Sequence, residues 1–400
     1  MEQGIRKMEP VEPPSSAPLV VIAQLRRQLA DLMRIDEHEI VRPPDAVIVL
    51  RGQVYGDTET AFERMTQRFA TYGYTVSLRD WSGGGHEVIA VKGILEHKPG
   101  RTWLNVVLLL ATVFSVLFIG AGYALQDAGL LTDPNSPGAL RLLLTHLHWG
   151  IPFAGTLLGI LLTHELSHYF VARRYGSPVS LPFFIPMPYS LMGTMGAVIV
   201  QRAPMRDRKA LFDIGVAGPL GGLIVAIPLL ILGLALSSVG PPPPDIDTAY
   251  QEGNSLLYLT IKYLMFGKVL PSNGEDVWLH PVAFAAWAGL LVTMINLIPV
   301  GQLDGGHISY ALLGRRAWRL GYIVIAAMVV WGGWLLMGGN EAGGFWMTWG
   351  FLNLFLNPRH PPPLNDAARL DARRIVLGLF VLAIFVLTFM PAPLREVHFH

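Results

Sequence analysis

The stretch Gly159-Ile-Leu-Leu-Thr-His164-Glu165-Leu-Ser-His168-Tyr-Phe-Val-Ala-Arg173-Arg174-Tyr-Gly176 decides how this chain is read. It is an apolar helical segment that carries two imidazoles and a carboxylate and ends in two arginines. On a helix, residues i and i+4 share a face, so His164 and His168 can bind one metal ion. Glu165, one position after the first histidine, can reach a water molecule at that metal as general base. Without partners, such groups in an apolar span cost several kcal/mol each, so they call for a functional reason.

The surroundings make this a membrane segment. The chain has 400 residues, 52% hydrophobic and 15% charged, where soluble domains run near 25% charged. Residues 1–101 hold 13 Lys/Arg and 14 Asp/Glu, and the other 299 residues hold only 32 charged groups. Beyond 102, apolar runs of about 20 residues recur, long enough for a hydrocarbon layer of roughly 30 Å. The fold class expected is a polytopic α-helical membrane protein of six to seven spans with a small cytoplasmic α+β domain in front. A net charge of +1 gives no sign of a nucleic-acid partner. The absence of Cys excludes thiolate chemistry and disulfides.

The polar stretch 1–17 reads as a disordered tail and not as a secretory signal. Residues 18–101 read as the soluble domain: an amphipathic helix over 18–34, a strand at 46–54, a helix at 57–74, and strands at 75–81 and 86–94 about the Gly83–Gly85 turn. Residues 102–400 form the membrane domain, with a core at 145–310. Spans are expected near 104–125, 147–171, 211–236, 281–300, 320–338, 345–356 and 375–391. Residues 176–200 are apolar but hold four prolines and three glycines. That density breaks a helix, and a re-entrant loop or β-hairpin beside a wet cavity is expected. Arginines and lysines cluster at 173–174, 202–209, 315–319 and 359–374. These loops share one side of a seven-span arrangement, which places the N-terminal domain and the metal end of the second span in the cytoplasm. His168 lies three residues from the end of its span and His164 seven, so the metal would sit roughly 5–10 Å inside the boundary.

A catalytic zinc needs a third protein ligand and an open position. Asp304, in Asn296-Leu-Ile-Pro-Val-Gly-Gln-Leu-Asp304-Gly305-Gly306, falls on the correct side, and the two glycines would let the chain turn sharply. Asp213 is also on that side, but a carboxylate in a helix's first turn is favoured by the dipole alone. His307 is placed to support the site, and His280 falls on the opposite face. Glu341 lies in a loop on the far side, and no other downstream Glu reaches the metal side, which disfavours a zincin with a Glu ligand.

The pairing of His164-Glu165-x-x-His168 with Asn296-x-x-Pro299-x-x-x-x-Asp304-Gly305 resembles the site-2 protease family of intramembrane zinc metalloproteases, peptidase family M50. Gly193-Thr-Met-Gly196-Ala and Ala217-Gly218-Pro219-Leu220 resemble that family too. The chain is most similar to the plastid and cyanobacterial branch of the ethylene-dependent gravitropism-deficient and yellow-green proteins, whose N-terminal motif Leu50-Arg51-Gly52 echoes. The resemblance implies one Zn²⁺ held by His164, His168 and Asp304, with Glu165 moving the proton of the attacking water. Asn296 would orient the substrate or the oxyanion, and Gly193, Thr194 and Gly196 would lie in a strand edge that receives an unwound substrate. The partners implied are a transmembrane protein substrate and the lipid bilayer. A metal-ion transporter and an inactive protease-like scaffold are the competing readings. A transporter would be expected to show internal repeats, and none is seen.

Overall fold

The computed structural model describes residues 18–41, 47–93, 102–242 and 248–398, arranged in two compact units: Met1–Glu96 with Pro363–Arg369, and His97–Pro362 with Leu370–His400. The expected tail 1–17 and the expected boundary at 101 lie outside the described residues.

The first unit begins with α1 (Pro18–Leu29) and continues through β1 (Met33–Val41), β2 (Val47–Val54), α2 (Thr58–Ala70), β3 (Tyr74–Asp80) and β4 (His86–Lys92). The strands form one antiparallel sheet in the order β1-β2-β4-β3. Asp57 caps α2 by accepting the Thr60 N–H at 2.9 Å. Ala61, Phe62, Met65 and Phe69 are the buried face of α2. They share a core with Leu50, Val76, Leu78 and Val88 of the sheet. Strand β1 was not expected: Met-Arg-Ile-Asp-Glu-His-Glu-Ile-Val has no clean alternation, and its central residues are exposed because it is an edge strand. Residues 363–369 belong to this unit as well. The Leu78 N–H donates to the Leu364 carbonyl, and the Asp366 N–H donates back to Leu78.

Leu50-Arg51-Gly52 has a structural account. Leu50 is fully buried. Arg51 lies opposite Glu87, which lies opposite Arg79, and both guanidiniums bind the one carboxylate, at 2.9 Å and 2.5 Å. Gly52 stands against the register shift of β1, where a Cβ would come within 1.8 Å of the Arg34 carbonyl oxygen.

The second unit is mainly helical: α3 (Thr102–Asp127), α4 (Ala139–Thr145), α5 (Ile151–Arg174), the hairpin β5 (Phe183–Pro186) and β6 (Thr194–Val198), α6 (Arg208–Ala235), β7 (Ser238–Gly240), β8 (Thr248–Glu252), α7 (Leu256–Phe266), β9 (Asp276–Trp278), α8 (Pro281–Asn296), α9 (Asp304–Leu313), α10 (Arg316–Met337), α11 (Ala342–Phe355), α12 (Ala372–Thr388) and β10 (Leu394–His398). Among the described residues, α3, α6 and α10 are long and apolar enough to cross a membrane; α7 and α8 are shorter apolar helices. Many large apolar side chains face outward, including Leu110, Ile224, Val330 and Val376. Water does not tolerate so much exposed hydrocarbon on one unit.

The broken stretch 176–200 is an antiparallel hairpin, with Phe183 opposite Val198 and Pro186 opposite Thr194. Polar side chains of α3 hold it. The Asn105 amide donates to the Leu181 and Pro182 carbonyls at 2.8 and 3.0 Å, Ser115 donates to Gly193 at 2.6 Å, and Tyr123 donates to Leu191 at 2.7 Å. Gly193 has φ +72°, and a Cβ there would meet the Val116 Cα at 2.8 Å, so the position requires glycine.

Candidate metal centre

Helices α5, α6, α8 and α9 build the site. His164 and His168 are one turn apart on α5 and are 3% and 4% exposed; Glu165, between them, is 5% exposed. Asp304 opens α9 and is 8% exposed. Nε2 of His164 lies 3.1 Å from Oδ2 of Asp304, Nε2 of His168 lies 3.2 Å from Oδ1, and the two Nε2 atoms are 3.2 Å apart. The ligand atoms of the three residues all lie within 4.8 Å of one another. The Asn296 amide, at the end of α8, approaches His164 Nε2 at 3.3 Å.

The donor set fits a metal ion. His168 donates Nδ1–H to the Ile214 carbonyl of α6 at 2.6 Å, which leaves Nε2 of the neutral ring as a lone pair aimed inward. That lone pair converges with a carboxylate and a second imidazole. Two imidazoles and a carboxylate suit zinc and leave a fourth position for water or substrate.

Packing around α5 depends on glycine. A Cβ at Gly218 would lie 2.0 Å from His168 Nε2, one at Gly221 would lie 2.1 Å from the Ser167 hydroxyl oxygen, and one at Gly222 would lie 3.2 Å from His164 Nδ1. The Ala217-Gly218-Pro219-Leu220 segment is thus the surface of α6 that accommodates the imidazole. Gly221 and Gly222 serve the same contact; their spacing along α6 is the signal by which the sequence could have shown them.

Gly305 and Gly306 do not make the turn expected of them. Both are helical residues of α9. A Cβ at Gly305 would meet the Leu297 carbonyl oxygen at 2.0 Å, and one at Gly306 the Gly301 carbonyl oxygen at 2.3 Å. They let the start of α9, and with it Asp304, lie against the turn after α8. Gly301, with φ +54°, is the residue in the left-handed region.

The other candidates stand elsewhere. Asp213 is not in the first turn of α6, where Asp207 caps by accepting the Ala210 N–H. Asp213 pairs with Arg374 of α12 at 2.6 Å and accepts from the Tyr175 hydroxyl. His280 caps the opposite end of α8, accepting from the Val282 N–H. His307 is joined to His360, with Nδ1 and Nε2 2.6 Å apart. His360 was not expected at all, since a lone histidine in Asn-Pro-Arg-His-Pro has no pattern to mark it. The hairpin comes to the site through Ile199, whose backbone N–H faces the Glu165 carboxylate. Gly196 has φ +102° and open space where a Cβ would point. Among the described residues, β6 pairs only with β5, so its other edge has no strand partner.

The fold and the site together define a helical membrane protein with a His-His-Asp constellation buried among its helices. Residues 152–337 match the model of peptidase family M50. It is similar to the probable zinc metalloprotease EGY1, chloroplastic, of Oryza sativa subsp. japonica, with 30% identity over 74% of this chain and 52% of that protein. The Arabidopsis thaliana protein of the same name is also 30% identical, over 75% and 55%. The probable zinc metalloprotease EGY2, chloroplastic, of Oryza sativa subsp. indica is 30% identical over 88% and 62%. The chain therefore spans about half to three-fifths of the length of these relatives. No solved structure matches.

Proposed function

We propose that this protein is an intramembrane zinc metalloprotease that hydrolyses peptide bonds in or near transmembrane segments of membrane-protein substrates. The observation that carries this reading is the convergence of His164, His168 and Asp304 within 4.8 Å, beside Glu165 and inside a bundle of apolar helices. The metal would be held by His164, His168 and Asp304, and when bound it supplies Lewis acidity toward a peptide carbonyl and toward water.

The chain's own residues do the rest. Glu165 takes the proton of the attacking water on its carboxylate and returns it to the leaving amine. The Ile214 carbonyl fixes the tautomer and orientation of His168. Asn296 is close enough to His164 to donate to the substrate's carbonyl oxygen as negative charge develops there. A helical substrate hides its carbonyls, so it must unwind before attack. The open edge of Thr194–Val198, with Gly193 and Gly196 shaping it, offers replacement backbone hydrogen bonds. Catalysis and strand pairing then meet where Ile199 faces Glu165.

The domain reading is a tail over 1–17, a cytoplasmic α+β domain over 18–101 and a membrane domain over 102–400, apart from residues 363–369, which pack with the first unit, with the active-site side facing the cytoplasm. Seven crossings are taken as α3, α5, α6, α8, α10, α11 and α12. The arginines at 173–174, 315–319 and 369–374 flank their cytoplasmic ends.

The test compares unmutated protein and Glu165→Gln in liposomes with a single-span substrate, with and without a zinc chelator. Cleavage is expected only from unmutated, unchelated protein. Cleavage by Glu165→Gln would falsify the mechanism, and zinc flux without cleavage would favour a transporter.

A further inference from the structure

A cavity of about 760 Å³ lies away from the metal centre, at the other end of α8. Phe284, in the first turn of α8, lines it, and Asn296, twelve residues on, stands at His164. The helix rise puts the two places roughly 18 Å apart. Tyr123, Tyr250 and Trp278 complete an aromatic wall.

Four carboxylates also line the cavity, and two of them are neutralised in place. Glu275 pairs with Lys268, and Glu252 lies 3.5 Å from the buried Lys262. Asp127 and Asp276 have no ion pair among the described residues. Among the described residues, Asp276 accepts from the Gln251 amide and the Val277 N–H. Asp127 closes α3, a helix with no basic residue in its last turn. A carboxylate there faces the negative end of the helix dipole, so the fold gains nothing from it. Two unneutralised carboxylates in an aromatic pocket select a cation, since an aromatic face adds to the attraction when the cation is partly desolvated.

The hairpin connects this cavity to the proposed chemistry. Leu191, at its tip, lines the cavity and is tied to Tyr123; Ile199, at its other end, faces Glu165. A chain laid along β6 would start in one place and end in the other.

We infer that the cavity is an exosite for a basic residue, arginine or lysine, in the extramembrane segment flanking a substrate's transmembrane helix. Extended chain advances ~3.3 Å per residue, so the cut falls roughly five to six residues from that anchor. Only the placement of the cut rests on the peptidase reading; the binding of the basic segment does not.

The experiment uses full-length Glu165→Gln protein in nanodiscs, titrated with two synthetic peptides. Each is a Leu/Ala-rich membrane segment, one carrying Arg-Arg at one end and the other Gln-Gln. The Arg peptide is expected to bind at least tenfold tighter. The preference should vanish in Asp127→Asn/Asp276→Asn on the same background and shrink with added salt. Metal content serves as the folding control for that variant. Should it fail to fold, tryptophan fluorescence of the parent protein is expected to respond to the Arg peptide and not to its twin, and Trp278→Phe is expected to abolish that response. Equal affinities, a preference that survives the double substitution, or identical fluorescence responses would overturn the inference. Displacement of the Arg peptide by dihexanoyl phosphatidylcholine would overturn it in favour of a lipid headgroup. Unmutated protein separates the two claims. If the binding preference stands and neither peptide is cut, the peptidase reading fails alone. If both peptides bind and are cut equally, the exosite fails alone.

Discussion

Glu87 and Asp304 are two carboxylates of nearly equal burial, 6% and 8% exposed, in opposite company. Glu87 sits mid-sheet with an arginine on each neighbouring strand, and permanent cations neutralise it. Asp304 faces two imidazoles, one of which already spends its Nδ1–H on a backbone carbonyl. The first arrangement is complete, and the second converges on a point where a cation fits. A buried carboxylate does not by itself mark a functional site. The balance of donors and acceptors around it does.

The comparison breaks most visibly at Asp304. Asp304→Asn should lower metal affinity at least ~1,000-fold, beyond the 10–100-fold that supporting residues command, as read by metal content after dialysis. The first unit's hydrogen exchange should not change. Retained metal would remove the distinction between the two carboxylates. Glu87→Gln should do the converse: about 2 kcal/mol of lost protection in β3 and β4, because Arg79 loses its countercharge while Arg51 keeps Glu39 at 3.0 Å, with metal content intact.

Acid sharpens the same contrast. Burial pushes the Glu87 carboxyl up, but hydrogen bonds from Arg51 and Arg79 outweigh it and hold it below the usual range. A depressed value means the stabilisation is present above the unfolded pKa of ~4.3 and is lost as pH falls through the folded value. Exchange protection of the sheet should therefore decline below about pH 4.3, and this decline should be weaker in Glu87→Gln.

A smaller effect is expected at the glycine that makes room for the imidazole. Gly218→Ala puts a methyl 2.0 Å from His168 Nε2, so the ring must move, and metal affinity should fall roughly 10–100-fold. Gly196→Ala, with open space around its Cβ, should leave metal content unchanged. The smallest effect is Asp57→Ala, which removes the α2 cap and should cost ~1 kcal/mol in exchange protection of the first unit alone.

Much of the site was legible because its signals are local. The i, i+4 imidazoles on one face of an apolar helix and the carboxylate after Asn296-x-x-Pro299 need no tertiary knowledge. The reason for Gly305-Gly306 was misjudged, since dense glycine suggests a turn while the structure uses it for close approach of two backbones. Asp213 and His360 were opaque for a related reason. Their partners, Arg374 and His307, are 161 and 53 residues away, and nothing local marks the pairing. Strand β1 was missed because an edge strand with exposed polar residues leaves no periodic trace.

By itself, the sequence determined the membrane character of the larger unit and the two ends of the metal constellation, because low charge, apolar runs and helical spacing act over short range. Only the tertiary structure decided how the constellation closes: which carboxylate turns inward, which carbonyl sets the His168 tautomer, and where α6 must lack side chains. Those outcomes depend on helices packed to within a methyl group of each other, and close packing joins residues that are far apart in the chain.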